Sequence, residues 1–223
     1  MNWLNGAWAV FEKDLRLELR SRYAVNMLFM FVLSSLLLVS FAIGQENVSM
    51  RMQTALLWIV ILFSAAIGLG RSFVGEEERG TVLILQLSVP GSQVFAGKLA
   101  FNFFLLLCVN VISVAVFTFL LNLNIELIGL LAASLFLGSL GLAAATTMLA
   151  AIIARTSNAG PILPVLLFPL LIPLLLSVVS ACENALSGGA GWQAATGHLT
   201  TLAAFAGVVI TASVLLFDFV WNE

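Results

Sequence analysis

Leu99-Ala-Phe-Asn-Phe-Phe-Leu-Leu-Leu-Cys-Val-Asn-Val-Ile-Ser-Val-Ala-Val-Phe-Thr-Phe-Leu-Leu121 contains no charged side chain. A helix needs about 20 mainly apolar residues to cross the hydrocarbon core of a bilayer, so this stretch is long enough to span. It lacks the strict alternation of a barrel strand. Five more charge-free stretches lie at residues 25–44, 54–70, 127–154, 161–181 and 199–217. Composition agrees: 61% of the 223 residues are hydrophobic and 9% are charged, with a mean hydropathy of +1.12, whereas a soluble domain carries about 25% charge. The sequence predicts an all-α integral membrane protein, one transmembrane domain over residues 1–223 with six membrane-spanning helices.

Charge sets the expected orientation. Lys and Arg accumulate on the cytoplasmic side of a span, and six spans put both termini on one side. That side would hold Lys13, Arg16, Arg20, Arg22, Arg71, Arg79, Lys98 and Arg155, against Arg51 alone on the other, so both termini are expected in the cytoplasm. The charged stretch ahead of the first span, with no small-residue cleavage site after it, argues against a removable signal peptide. A net charge of -2 excludes a basic nucleic-acid binder. One His and two Cys are too few for a zinc or iron–sulfur site, and no Cys108–Cys182 disulfide is expected.

Four segments stand apart from plain spans. Over residues 3–22, Leu4, Trp8, Phe11, Leu15 and Leu19 form one helical stripe with Lys13, Arg16 and Arg20 opposite, the pattern of a helix lying in the interface, basic side toward anionic headgroups. Glu12–Arg16 and Glu18–Arg22 are i,i+4 pairs, while Asp14 and Glu18 intrude on the apolar side. This helix either only fixes topology or meets a partner. Residues 76–88 predict one short surface helix that presents Glu76, Glu77, Glu78, Arg79, Gly80 and Thr81 to the cytoplasm and ends at Pro90-Gly91. Its apolar run should be held by other protein. A solvated charge run beside a packing segment is the plainer reading. Pro161, Pro164, Pro169 and Pro173 predict a kinked or partly broken fifth span, either moving or bent and static. The glycine-rich residues 182–198 predict an outer loop of short helical pieces around Trp192, an aromatic suited to the headgroup level.

No catalytic constellation emerges. The six stretches hold no Asp, Glu, Lys, Arg or His, which argues against a proton-coupled transporter or an intramembrane acid–base enzyme. Gly91-Ser-Gln-Val-Phe-Ala-Gly97-Lys98-Leu99 misses the phosphate-loop spacing and its hydroxyl. His198 is a candidate haem contact beside Trp192, or simply a hydrogen-bonded interfacial residue. Ser134/Gly138 and Gly141/Ala145 are small pairs four apart, suited to close packing either between two copies or within one subunit.

Two blocks carry a resemblance. One runs from Phe11-Glu-Lys-Asp-Leu-Arg-Leu-Glu-Leu-Arg20 through Arg71-Ser-Phe, the acids, Gly80-Thr-Val-Leu, Leu87-Ser-Val-Pro90 and Ala96-Gly-Lys98. The other is Ala154-Arg155-Thr-Ser-Asn-Ala-Gly160-Pro-Ile-Leu-Pro-Val-Leu-Leu-Phe-Pro169-Leu-Leu-Ile-Pro173. Together, over nearly the whole length, they resemble the haem exporter B subunits of cytochrome c maturation, within the ABC-2 (type V exporter-like) permeases. The chain departs from that family in having Thr-Ser-Asn-Ala-Gly after Arg155 and three acids after Gly75. The resemblance implies a non-catalytic permease in the bacterial inner membrane, two copies per complex, with ATP bound by a separate ABC subunit. Residues 76–88 would be the coupling helix docking on that subunit. Haem-handling membrane subunits and a periplasmic haem chaperone would be partners, haem a candidate cargo, and no cofactor would be held by the chain itself. A general exporter of lipid, glycan or drug, and a non-transporting scaffold for haem-handling proteins, stand as alternatives.

Overall fold

The computed structural model describes residues 3–44, 48–154, 159–188 and 191–222. They form nine α-helices and one 3-10 turn: α1 Trp3–Ser21, α2 Tyr23–Ile43, α3 Met50–Gly68, the turn Leu69–Arg71, α4 Val74–Glu78, α5 Val82–Ser88, α6 Gly91–Leu121, α7 Ile128–Ala154, α8 Ala159–Ser187 and α9 Gly191–Asn222. Six of them (α2, α3, α6, α7, α8 and α9) are long and apolar enough to cross a membrane, and the protein is an integral membrane protein as the sequence predicts.

The centre is α7, packed by α6, α8 and α9 and touched by α3. Its sequence explains why. Ser134, Gly138, Ser139, Gly141, Ala143, Ala144, Ala145, Thr146 and Thr147 are all buried, and small side chains let neighbouring backbones close in. A Cβ on Gly138 would fall 2.6 Å from the Trp58 ring of α3 and 2.8 Å from Val178 of α8. Both small pairs therefore serve packing within one subunit, which settles the choice between that and a contact of two copies.

The first helix crosses α6 at close range, since a Cβ on Gly97 would meet the Ala7 carbonyl oxygen at 2.5 Å. It has three faces rather than two. Gly6, Val10 and Asp14 are buried against protein; Leu4, Trp8 and Leu19 stay exposed, as an apolar stripe toward lipid would; and Phe11 packs edge-on to Phe101 and Phe104 of α6. Arg16 pairs with Glu12 as expected, and Arg20 is exposed. Glu18 does not use Arg22; its carboxylate accepts the Val25 N–H at 2.8 Å and caps the start of α2.

Three expectations need correction. The surface segment is not one helix over 76–88: α4 ends in a paired C-terminal motif, Thr81 N–H to the Glu76 carbonyl and Gly80 N–H to the Glu77 carbonyl, both 3.0 Å, with Gly80 at φ +65. Only glycine takes that conformation without penalty, so a new helix starts after Thr81. Of the kinked or partly broken fifth span, the break is what fails, because α8 runs on with Pro164, Pro169 and Pro173 inside it; Pro161 sits in its first turn, where no backbone donor is needed. Nor is 182–198 a loop of separate pieces. Among its described residues, α8 extends to Ser187 and α9 starts at Gly191, because only Gly188 and Gly191 take positive φ there while Gly197 is helical. Residues 155–158, Arg155 among them, lie outside the described residues.

Candidate functional site

Four ionisable side chains, Lys13, Asp14, Glu76 and Lys98, are gathered at one end, where α1, α4 and α6 meet. Lys98, in the third turn of α6, is 2% exposed. Its ammonium donates to Asp14 Oδ2 of α1 at 3.1 Å, to Glu76 Oε1 of α4 at 3.2 Å and to the Ser72 carbonyl at 2.9 Å. All three ammonium donors thus have a partner, and the Phe73 ring lies 5.1 Å away. Lys13 of α1 pairs with the same Glu76 and, at 3.2 Å, with Asp14. The Thr81 hydroxyl donates to the second Glu76 oxygen. Two cations and two anions balance, with Lys98, Asp14 and Glu76 buried and Lys13 half-buried at the edge, which is how buried charge is tolerated.

Burial by itself disfavours the Glu76 carboxylate, and the Lys98 and Lys13 ammonium groups and the Thr81 hydroxyl compensate it. Glu76 is therefore an anchor, 7% exposed, and not a residue presented outward. Lys13 likewise faces this cluster instead of headgroups. Asp14, which disturbs the amphipathic pattern, does so because it faces protein.

Around the anchor lies a different surface. Glu77, Glu78, Arg79 and Gly80 are exposed, with Arg71 pairing Glu78 at 3.2 Å. On α5 only Leu85 is buried; Leu83, Ile84 and Leu87 stand out, Leu87 at 89% exposure. The expectation that the apolar run is held by other protein thus applies to Leu85 and, in part, to Val82, which packs against the core. The helix is tied down by Gln86, whose side-chain amide donates to the Trp221 carbonyl of α9. Phe73, Phe95, Phe217 and Trp221 pack as one aromatic block, centroids 5.3 to 5.8 Å apart. That block places the last turn of α9 at the same end as α1, α4 and α5.

Polar groups continue from this end into the spans as clasps between α6 and α7. The Asn102 amide donates to the Thr147 hydroxyl at 2.8 Å, and Asn110 donates to Ser139. All four are buried. A cavity of about 280 Å3 opens beside the ion cluster, reaching from Arg71, Glu78 and Arg79 to Asn102.

A paired surface-helix segment between the second and third spans, anchored on a crossing N-terminal helix, is a whole-chain arrangement, and the sequence matches a whole-chain family: the model described as "CcmB protein" aligns with residues 5–220. The chain belongs to the CcmB protein family. Curated relatives of this CcmB-family chain are "Heme exporter protein B" of Bradyrhizobium diazoefficiens, 26% identical over 81% of this chain and 82% of that one; its namesake in Rhodobacter capsulatus, 28% identical over 75% and 78%; and that of Paracoccus denitrificans, 28% identical over 81% and 84%.

The remaining predicted residues of the CcmB-family chain do not converge. Trp192 is exposed at the start of α9, near Gly129 of α7, and His198 is half-buried six residues further on. Six residues rotate a helix by about 240°, so the two point to different sides. No group of three His, Cys, Asp or Glu able to hold a metal occurs among the described residues. Cys108 is exposed and Cys182 buried, both free, with the Trp58 indole donating to Cys182 Sγ at 3.4 Å. Sequence reasoning missed Asp14–Lys98 because the partners are 84 positions apart. It missed the clasps because it read the span hydroxyls, Thr147 among them, as bonding helix carbonyls, which Thr147 also does, and gave no weight to the asparagines. Yet Asn102/Asn110 and Ser139/Thr147 share a spacing of eight, as antiparallel partners must.

Proposed function

We propose that this chain is the membrane-spanning, non-catalytic permease subunit of an ABC exporter that handles haem in c-type cytochrome maturation, and that α4 and α5 dock a separate cytoplasmic ATPase subunit. The carrying observation is the apolar triplet Leu83, Ile84 and Leu87, bare on α5 beside exposed charges and mounted on a buried ionic anchor. An apolar centre with a charged rim, on a rigid support, is the anatomy of a protein interface. The names of the three relatives support haem as the cargo class. The excess of Lys and Arg at the α4–α5 end supports placing it, and both termini, in the cytoplasm of a bacterial inner membrane. Two copies would face an ATPase pair, with haem-handling membrane subunits and a periplasmic haem chaperone as further partners. His198 and Trp192 are open to such a partner at the outer end.

Deleting the gene and comparing haem-stained c-type cytochromes with their polypeptide levels tests the reading. Loss of covalent haem with the polypeptide still made, restored by the intact gene, is the expected result; normal haem attachment would remove the assignment. The docking part is tested by the Leu83→Ser, Ile84→Ser, Leu87→Ser triple variant, which should reach the membrane but lose the co-purifying ATPase.

A further inference from the structure

The docking surface and the spans are joined by very little chain. Helix α4 has five residues and is flanked by the Leu69–Arg71 turn on one side and Gly80 on the other. Hinges at both ends would let a pulled or pushed α4 swing without moving anything in the bilayer. Two sets of contacts prevent this. Phe73, just before α4, packs on Phe217 and Trp221 of α9. One Lys98 ammonium holds Asp14 of α1, Glu76 of α4 and the Ser72 carbonyl at the hinge itself, at 2.9 to 3.2 Å, the set that ties α4 directly to α6. One turn further along α6, Asn102 holds Thr147 of α7. Beside them the cavity of about 280 Å3 leaves room for displacement on the side of α1 and α2.

We infer that Lys98 is the positioning residue that converts movement of α4 into movement of α6, the third span, and then, by the Asn102–Thr147 bond, into movement of α7. It acts neither as a docking residue nor as a contact to cargo; it lies under the docking surface and couples it to the membrane core. The inference rests on the docking reading above. Its mechanical logic is that of a coupling free energy between two sites: a shift at one is felt at the other only if their contacts differ between the two states. A direct ion pair meets that condition where a five-residue helix on two hinges does not.

The test uses the full chain expressed with its ATPase subunit. Substituting Lys98 alone would leave an unbalanced buried anion, so the first variant is charge-neutral: Asp14→Asn with Lys98→Met, which keeps the Lys13–Glu76 pair. A second, equally neutral variant, Lys13→Gln with Glu76→Gln, releases α4 from the other side. Lys98→Arg keeps the charge. Three quantities are read: ATPase retained per chain, ATP hydrolysed, and covalent haem on c-type cytochromes. For both neutral variants the expected result is co-purification and hydrolysis within about twofold of wild type with haem attachment down about tenfold, inside the usual range of coupling effects; Lys98→Arg should keep at least about half of it. Haem attachment that stays normal, or falls only in step with bound ATPase, overturns the inference. Loss of both neutral variants from the membrane would make the cluster a folding element and overturn it too. If the wild-type chain retains no ATPase, the docking reading itself fails, an outcome distinct from the others.

Discussion

Helices α4 and α5 are neighbours in sequence and opposite in construction. The first buries a carboxylate and the second exposes three large aliphatic side chains, the reverse of what each composition suggests. The difference separates anchoring from contact. Charge is placed inside where partners from two other helices neutralise it, and apolar area is left outside where only another molecule can cover it. A charge-run reading of residues 76–81 treats them as one surface, yet Glu76 and Thr81 belong to the interior while Glu77, Glu78, Arg79 and Gly80 belong to the exterior.

The largest stability effect should come from breaking the anchor on one side only. Lys98→Met leaves Asp14 and Glu76 sharing Lys13, and uncompensated buried charge costs about 3–5 kcal/mol; a sharply lowered melting temperature of the detergent-solubilised chain, or its loss from the membrane, checks this. Gly80→Ala comes next. At φ +65 a Cβ adds about 1–2 kcal/mol of strain, with nothing within 4 Å to clash, so melting should fall modestly without loss of the chain. Thr81→Val, which removes a hydroxyl bonded to Glu76, should cost about 1 kcal/mol by the same assay. Glu77→Gln and Glu78→Gln should stay within about 0.5 kcal/mol of wild type. The α5 triplet should show a similarly small stability effect, yet there the ranking inverts: its replacement by Ser should lower ATPase co-purification by about tenfold or more. If Glu77→Gln proved as damaging to folding as Lys98→Met, the division into anchor and contact would collapse.

Six spans were legible because hydrocarbon imposes a length and a charge rule that composition reveals directly. Boundaries were less so. The third span was read from Leu99 whereas α6 starts at Gly91, since Gln93 and Lys98 make those turns look like loop; they are helical because α1, α4 and α9 cover them. Residues 182–198 looked irregular for their glycines, but a glycine breaks a helix only where the chain turns, as at Gly188 and Gly191. The Ser134/Gly138 pairs left their partner open, and it took Trp58 and Val178 to name it. The ion cluster had one faint trace in sequence: Asp14 spoils an otherwise clean amphipathic stripe, and a polar residue out of pattern often faces a protein neighbour rather than water or lipid.

The two clasps between α6 and α7 carry a consequence for how the bundle can rearrange. Asn102–Thr147 and Asn110–Ser139 are spaced eight apart on both helices, so they engage at a single register. Sliding one helix past the other by a turn would strand the two Asn amides, since the Ser139 and Thr147 hydroxyls also donate to the Leu135 and Ala143 carbonyls of their own helix. The pair behaves like a latched hinge leaf: tilting or rotating as a single plank keeps both latches closed, whereas ratcheting along its length must open both at once.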